Sequence, residues 1–232
     1  AYTDGVSAQS TSRPVQGTGL LPANISISDG VTYNYGTKAN GSSTDKSFTL
    51  TNTGSFTATS MTGSGLSAPY SFKGGSYPGT GGTCSTTLSS AATCTVVVTF
   101  NPTSNGTYNA QFDIGYNNGV SGQTSSRPVT GIGAAAATFT ISDGATYNYG
   151  TKATGSSTDK TFTVTNSGGV NATSVSVTAL AAPFSFKGGT YPGTGGDCGA
   201  TLAAAATCTM VVTYAPTGTG AHSDTISVTF ND

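Results

Sequence analysis

The chain repeats itself at a fixed offset of 114 residues. The segment ISDG begins at Ile27 and again at Ile141 (141 − 27 = 114). The segment TYNYGTKA follows at Thr32 and Thr146, with no insertion or deletion between the copies. A period of this length corresponds to a whole domain, because the units of solenoid proteins are about 20 to 50 residues long. The repeat therefore predicts two similar domains in tandem, an arrangement that favours extension and display over catalysis.

The composition favours an all-β fold. Charged residues make up 7% of the chain, whereas about 25% is usual. Thr, Ser, Tyr, Val and Phe are abundant beside 33 Gly, which is typical of short strands and tight turns. The net charge of −1 argues against binding to nucleic acid. The sequence also lacks an apolar run of about 20 residues, so it predicts no membrane span in this segment.

Short strands separated by turn residues account for each repeat. Phe48 and Leu50 alternate with Thr49 and Thr51, which is the pattern of a half-buried strand. In the first repeat, strands are predicted at 24–28, 31–36, 46–54, 56–63, 69–74, 93–102, 108–116 and 126–133. Seven or eight such strands with regular turns predict a β-sandwich.

The phase of the repeat sets the predicted domain boundaries. The turn at Asn118 and Gly119 should pair strand 108–116 with strand 126–133, closing a first domain at 20–133. The second domain, 134–232, then stops before the counterpart of its last strand.

Residues 1–19 are a spare copy of that missing strand. SRPVQGTG at Ser12 matches SRPVTGIG at Ser126.

Three explanations of the spare strand stay open. In the first, the chain is an excerpt of a longer array; without an initiator Met or a signal peptide, it is either a processed mature product or a fragment. Alternatively, residues 1–19 fold against the first domain and 119–133 against the second. In the third explanation, residues 1–19 of one molecule complete the second domain of the next, which builds a head-to-tail filament. The strand donor would then be centred on Arg13, Pro14 and Val15.

Four cysteines occur in two equivalent pairs, ten positions apart in each repeat. This spacing predicts disulfides Cys84–Cys94 and Cys198–Cys208. A zinc site needs closer spacing and more ligands, and the only histidine is His222, so no metal site is predicted. Disulfides persist in oxidising compartments, which predicts a secreted or cell-surface protein.

Three motifs resemble a known family. They are NTG at Asn52, TCTVVVTFNPT at Thr93 and the closing VTGIG at Val129, with TNSG at Thr165 and TCTMVVTYAPT at Thr207 in the second copy. The pattern resembles the ASPM-SPD-2-Hydin (ASH) type of immunoglobulin-like domain, in particular the bacterial choice-of-anchor D repeats. The resemblance implies two tandem immunoglobulin-like β-sandwich domains from a large secreted or surface-anchored bacterial protein. It implies no catalytic residues.

No arrangement for catalysis is visible, so we predict that the chain is not an enzyme and needs no cofactor. A Ser-His-Asp triad would need His222, whose counterpart in the first repeat is Tyr108. The nine acidic residues are all Asp and do not cluster as paired carboxylates.

The candidate partner-binding loops are the Gly-rich segments 74–82 and 188–196, which include Tyr77, Pro78, Tyr191 and Pro192. Loops of this type bind partners or simply connect strands.

Three further sets of residues each have a functional and a structural interpretation. Tyr33 with Tyr35, and their copies Tyr147 with Tyr149, would stack on sugars if exposed and pack in a core if buried. Lys73 and Lys187 would form isopeptide bonds or protect a strand edge. Asp29 and Asp143 would bind calcium or cap a turn, and a single turn supplies too few ligands for calcium.

The combined hypothesis is a structural segment of an extracellular bacterial fibre or stalk. Its partners are copies of itself or flanking repeats, arranged head to tail. The alternative is an adhesin or carbohydrate-binding module with a glycan or cell-surface ligand, but not nucleic acid.

Overall fold

The computed structural model describes residues 1–3 and 5–232, and the regular structure of the described residues is β-strand throughout. An N-terminal hairpin comprises β1 (Tyr2–Thr3) and β2 (Ala8–Gln9). The first repeat contains β3 (Ile25–Ile27), β4 (Tyr33–Ala39), β5 (Thr44–Asn52), β6 (Thr59–Ser64), β7 (Tyr70–Phe72), β8 (Thr93–Phe100), β9 (Gly106–Asn117) and β10 (Gly122–Ala134). The second repeat contains β11 (Phe139–Ile141), β12 (Thr158–Asn166), β13 (Thr173–Val177), β14 (Phe184–Phe186), β15 (Thr207–Tyr214) and β16 (Val228–Asn231).

The first repeat is a sandwich of two four-stranded sheets, and the predicted all-β, immunoglobulin-like fold is confirmed. One sheet has the order β3-β5-β8-β7 and the other β4-β10-β9-β6. As the turn at Asn118 suggested, β9 and β10 pair antiparallel, from Asn117 opposite Gly122 to Gly106 opposite Gly133. On its other side β10 pairs in parallel with β4, so it lies in the middle of its sheet.

The second repeat keeps one sheet whole and has only part of the other. The sheet β11-β12-β15-β14 reproduces the first sheet of the first repeat, with the same register between its central strands. The opposite face has only β13 paired with β16. Residues 147–153, the counterparts of β4, form no strand among the described residues.

Aromatic and branched side chains fill the first core because strand alternation directs them inward. Phe48, Phe100, Phe112 and Ile114 are fully buried between the two sheets. The buried amide of Asn52 is part of the same interior. Its Oδ1 accepts hydrogen bonds from the backbone N–H groups of residues 24 and 54, and its Nδ2 donates to the carbonyls of residues 56 and 88.

The two sandwiches are joined end to end by a short alanine segment, 134–137. The chain enters the first sandwich at Ala23, whose N–H donates to the Asn118 carbonyl at 3.0 Å. It leaves at the opposite pole, where the N–H of Asn40 donates to Ala134 at 2.8 Å. There Ala39 packs with Ala137, Val170, Ala172 and Val175 in a small apolar cluster, and we call this contact the junction.

Candidate functional site

The candidate site is an open groove on the second sandwich, at the place that β10 fills in the first. In β10 the inward positions are Arg127, Val129, Gly131 and Gly133, alternating with more exposed residues. Val129 is 1% exposed. The Arg127 guanidinium donates to the Ile27 carbonyl, which holds the strand across to the facing sheet.

Both glycines are required by close packing. A Cβ at Gly131 would lie 2.7 Å from the ring of Phe100, and one at Gly133 would lie 2.4 Å from the Ser104 carbonyl oxygen.

The groove has a volume of about 1050 Å³. Its two walls are residues 144–154 and 218–226, and its floor includes Phe162, Phe184, Val212 and Tyr214. Subtracting 114 from the central wall residues gives β4 and the first half of β9, which are the two strands that flank β10. The groove therefore has the position of a missing central strand.

Side chains that are fully buried in the first sandwich are only half-buried around the groove. Tyr214 corresponds to Phe100 and Ile226 to Phe112, and both line the groove. Beyond the groove, in β16, Val228 corresponds to Ile114 and is also half-buried. Phe184 corresponds to Tyr70 and is likewise half-buried. Because the alternation of these segments is the same in both repeats, the difference in burial comes from the absence of the covering strand.

The N-terminal segment carries a sequence that matches this missing strand. In the hairpin of β1 and β2, Tyr2 lies opposite Gln9 and Thr3 opposite Ala8. The counterparts in the first sandwich are Tyr116 opposite Gln123 and Asn117 opposite Gly122, so the two hairpins have one register. Residues 10–24 follow without a strand, and Val15 is 88% exposed. Arg13, Pro14 and Val15 therefore lie outside the sandwiches, and their role as a strand donor stays a prediction.

The structure pairs Cys84 with Cys94 and Cys198 with Cys208 in two disulfides. Each ties the Gly-rich loop to the following strand. Disulfides are typical of proteins in oxidising compartments outside the cytosol.

The Gly-rich loops are anchored at their tyrosine and proline. Tyr77 is half-buried against Phe72, with ring centroids 5.8 Å apart, and burial raises its pKa to about 12. The carbonyl of Pro78 accepts a hydrogen bond of 2.8 Å from Val97. Tyr191 and Pro192 repeat these contacts on Phe186 and Val211. The exposed residues of the loops are thus Gly, Ser and Thr, and a partner-binding role stays a prediction.

Ion pairs account for the lysines and turn aspartates that were candidates for covalent or calcium chemistry. Lys73 Nζ lies 2.7 Å from Asp45, and Lys46 Nζ lies 2.7 Å from Asp29. The hydrogen bond from Lys46, with a second from Ser28, lowers the pKa of Asp29. Lys187 and Lys160 make the same pairs with Asp159 and Asp143. Within residues 1–3 and 5–232, no three His, Cys, Asp or Glu side chains are grouped as metal ligands.

The first tyrosine pair packs in the core of the first sandwich, and the second pair lines the open groove. Tyr35 is buried, and its hydroxyl donates to the Val98 carbonyl at 2.9 Å. Its counterpart Tyr149 makes the same bond to Val212 at 3.1 Å, but it lines the open groove together with the exposed Tyr147.

The sequence interpretation missed three structural residues: Asn52, Arg127 and Ala39. Asn52 occupies an inward position of an alternating strand, and Arg127 alternates with Val129. In both cases a polar residue in an apolar phase was the available signal. The junction contact of Ala39 has no such signal, because alanine is common on every face.

These features define the class as a tandem immunoglobulin-like module. Residues 141–232 match the family model described as the HYDIN/CFA65/VesB-like Ig-like domain. This match confirms the resemblance to the ASH type of immunoglobulin-like domain. The first repeat shares its motifs at the offset of 114 residues. No curated protein matches the chain.

Several solved structures are similar. The VesB protease of Vibrio cholerae is 20% identical, with a TM-score of 0.39, over 47% of this chain and 31% of that one. The chain thus spans about a third of VesB. The human CEP192 PapD-like domain 7 is 22% identical, with a TM-score of 0.38, over 56% of this chain and 99% of that one. The class 5 fimbriae chaperone CfaA is 10% identical, with a TM-score of 0.31, over 90% and 99%.

No helix among the described residues is long and apolar enough to cross a membrane.

Proposed function

We propose that the chain is a structural segment of an extracellular or cell-surface fibre or stalk, built from immunoglobulin-like domains stacked end to end. The observation that carries the proposal is the position of the chain ends of the first sandwich. The chain enters beside Asn118 and leaves beside Asn40, and the 13 residues of β10 run between these poles. At about 3.3 Å per residue, each sandwich adds about 40 Å of length.

The junction supports the same proposal. A linker of four alanines is too short for the sandwiches to separate widely, and the apolar cluster around Ala39 covers their contact. Such a joint transmits a load along the chain, whereas a long polar linker would let the domains move independently. The two disulfides add resistance to unfolding in an oxidising environment.

The proposed role is mechanical and assigns the chain no catalytic chemistry or cofactor. Its partners are flanking repeats or further copies of the chain, joined head to tail by the N-terminal strand. A glycan or another cell-surface ligand is the alternative partner, and the exposed Tyr147 beside Tyr149 is the feature that favours it.

Electron microscopy of the native material tests the proposal, together with the mass of its chain under denaturing and reducing conditions. We expect thin filaments or stalks with an axial spacing of about 40 Å per domain. Globular particles without extension would contradict the proposal. Binding to a glycan array that is lost in Tyr147→Ala and kept in Tyr33→Ala would favour the alternative.

A further inference from the structure

We propose that the open groove of the second sandwich binds residues 11–19 of a second copy of this chain, in the register that β10 has in the first sandwich. The contact between copies would then repeat the junction within the chain. This inference rests on the proposed function and deepens it by naming the donor residues, the acceptor residues and their register.

The inward positions of the donor match those of β10. At the offset of 114, Arg13, Val15, Gly17 and Gly19 correspond to the inward-facing Arg127, Val129, Gly131 and Gly133. The donor strand therefore presents to the groove a guanidinium, one apolar side chain and two glycines, the glycines at the positions where the floor lies closest to the strand. The intervening Thr18 corresponds to Ile132, which is 42% exposed, so the outward positions tolerate change.

The groove has a carboxylate at a position where the first sandwich has an alanine. In the first sandwich Ala110 lies opposite Val129 and diagonal to Arg127, whose Nε has no hydrogen-bond partner among the described residues. The corresponding groove residue is Asp224, whose carboxylate accepts a hydrogen bond of 2.6 Å from the Ala181 N–H. A diagonal neighbour on an adjacent strand is within reach of a long side chain, so Arg13 would meet a carboxylate there.

The chain cannot fill its own groove in this register. The Leu21 carbonyl accepts hydrogen bonds from Ser55 and Phe56, at the entry pole of the first sandwich. Gly19 would have to lie beside Pro216 and Gly218, at the far pole of the second sandwich, since Gly133 lies beside Pro102 and Ser104. These places are about two sandwich lengths apart, or about 80 Å, whereas two residues span about 7 Å. Residues 11–19 can therefore fill only the groove of another copy of the chain.

The outer poles of the two sandwiches carry exposed surfaces that a contact like the junction, formed between two copies, would cover. Ala39 is 9% exposed at the junction, whereas its counterpart Ala153 is exposed. On the other side Val170 is 8% exposed, whereas its counterpart Phe56 is 42% exposed. Leu20 and Leu21, which correspond to the linker residues 134 and 135, are exposed beside Phe56. A second copy seated in the groove would bring these surfaces together through residues 20–23.

A disulfide cross-link between two variants, each with one added cysteine beside the native disulfides, tests the register. In the first sandwich Ile132 lies directly opposite Thr37, so the register places Thr18 of one copy opposite Thr151 of the next. We expect a mixture of Thr18→Cys and Thr151→Cys to form a covalent dimer on a non-reducing gel, because opposed strand positions have Cα distances suited to a disulfide. The matched control is Thr18→Cys mixed with Thr37→Cys, where β10 already occupies the place.

A cross-link in the first mixture, with at least tenfold less in the control, supports the proposal. Equal yields, or no cross-link between variants that melt like the unaltered chain, overturn it.

Sedimentation of the full chain supplies a second test, in which the substitutions are at exposed residues and should not disturb folding. Val15→Asp changes a residue that is exposed in the single chain but would be buried in the groove, so we expect assembly to be lost without a change in melting temperature. Thr18→Asp is the outward-facing control and should assemble. If both variants assemble alike, the donor strand is not residues 11–19 and the proposal fails.

The microscopy of native material separates this failure from a failure of the proposed function. If the filaments consist of one long covalent chain and no cross-link forms, the proposed stalk function stands. The proposed binding of residues 11–19 between copies is then wrong. A glycan that binds in the groove, with no cross-link and no assembly, would also overturn the inference.

Discussion

The side-chain amide of Asn52 donates a hydrogen bond of 3.0 Å to the backbone carbonyl of Leu88. Asn52 is completely buried, and this bond joins the end of β5 to the segment that precedes β8. Asn166 makes the same bond to Leu202 at 3.2 Å in the second sandwich.

Replacing this asparagine should destabilise its own sandwich. Asn52→Ala leaves the buried N–H of Gly54 and the partly buried carbonyl of Phe56 without their partner, and each such group costs about 1–3 kcal/mol. We expect the free energy of unfolding of the first sandwich to fall by at least about 2 kcal/mol, measured by urea denaturation. The control Asn109→Ala changes an exposed asparagine of β9 and should cost little. Equal effects of the two changes would contradict the buried network.

Hydrogen exchange should distinguish the two repeats. Residues 146–153 form no strand, whereas their counterparts 32–39 include β4, which pairs with β10. Because unpaired backbone amides exchange without local unfolding, we expect faster exchange in 146–153 than in 32–39, measured by mass spectrometry at low protein concentration. At high protein concentration, the proposed assembly should slow exchange in 146–153. Equal protection in both at all concentrations would show that the groove edge is already covered.

Each disulfide should stabilise its own sandwich by a similar amount. Both close loops with a sequence separation of 10 residues, for which restriction of the unfolded chain contributes about 3 kcal/mol. We expect the double variant Cys84→Ser with Cys94→Ser to lower the unfolding transition of the first sandwich only. Cys198→Ser with Cys208→Ser should do the same for the second. Calorimetry that resolves two transitions provides the measurement, and a shift of both by either pair would indicate coupled unfolding.

Acid should weaken the ion pairs of the turns. Hydrogen bonds from Lys46 and Lys73 lower the pKa values of Asp29 and Asp45 in the folded state. A lowered folded-state pKa gives stability that is present above the ordinary carboxyl pKa and is lost as pH falls through the lowered value, that is, below about pH 4. The side chains are partly exposed, so we expect only about 0.2–1 kcal/mol per pair.

The matched variant for this prediction is Asp45→Asn, compared with the unaltered chain by urea denaturation at pH 7 and pH 3. The variant should be less stable at pH 7 and lose less stability on acidification. A variant with the same acid dependence as the unaltered chain would show that other groups are responsible.

Much of the fold could be predicted from local patterns. The alternation of Phe48 and Leu50 with threonines marked β5, and the turn at Asn118 marked the hairpin of β9 and β10. The bounds of β4 were harder to predict from the sequence, since Tyr33–Ala39 extends past Gly36, where the predicted strand ended. Pairing with β10, across the bulge between Thr130 and Ile132, carries the strand through that glycine.

The candidate site was only partly predictable. The repeat showed that SRPV at Ser12 had no domain before it, which identified the candidate donor. The groove itself depends on contacts between distant segments. Val228 and Ile114 have the same alternating environment along the chain, yet only Ile114 is fully buried.

The sequence by itself determined the number of repeats, their β-strand character and the pairing of cysteines that recur at one spacing. Periodicity and turn chemistry act over a few residues, so a linear chain displays them directly. Only the tertiary structure decided which strands share a sheet, that the chain enters and leaves the first sandwich at opposite poles, and that Ala39 is covered while Ala153 is exposed. Burial is a property of what lies opposite a side chain in space, and two identical patterns differ in burial when only one has its covering strand.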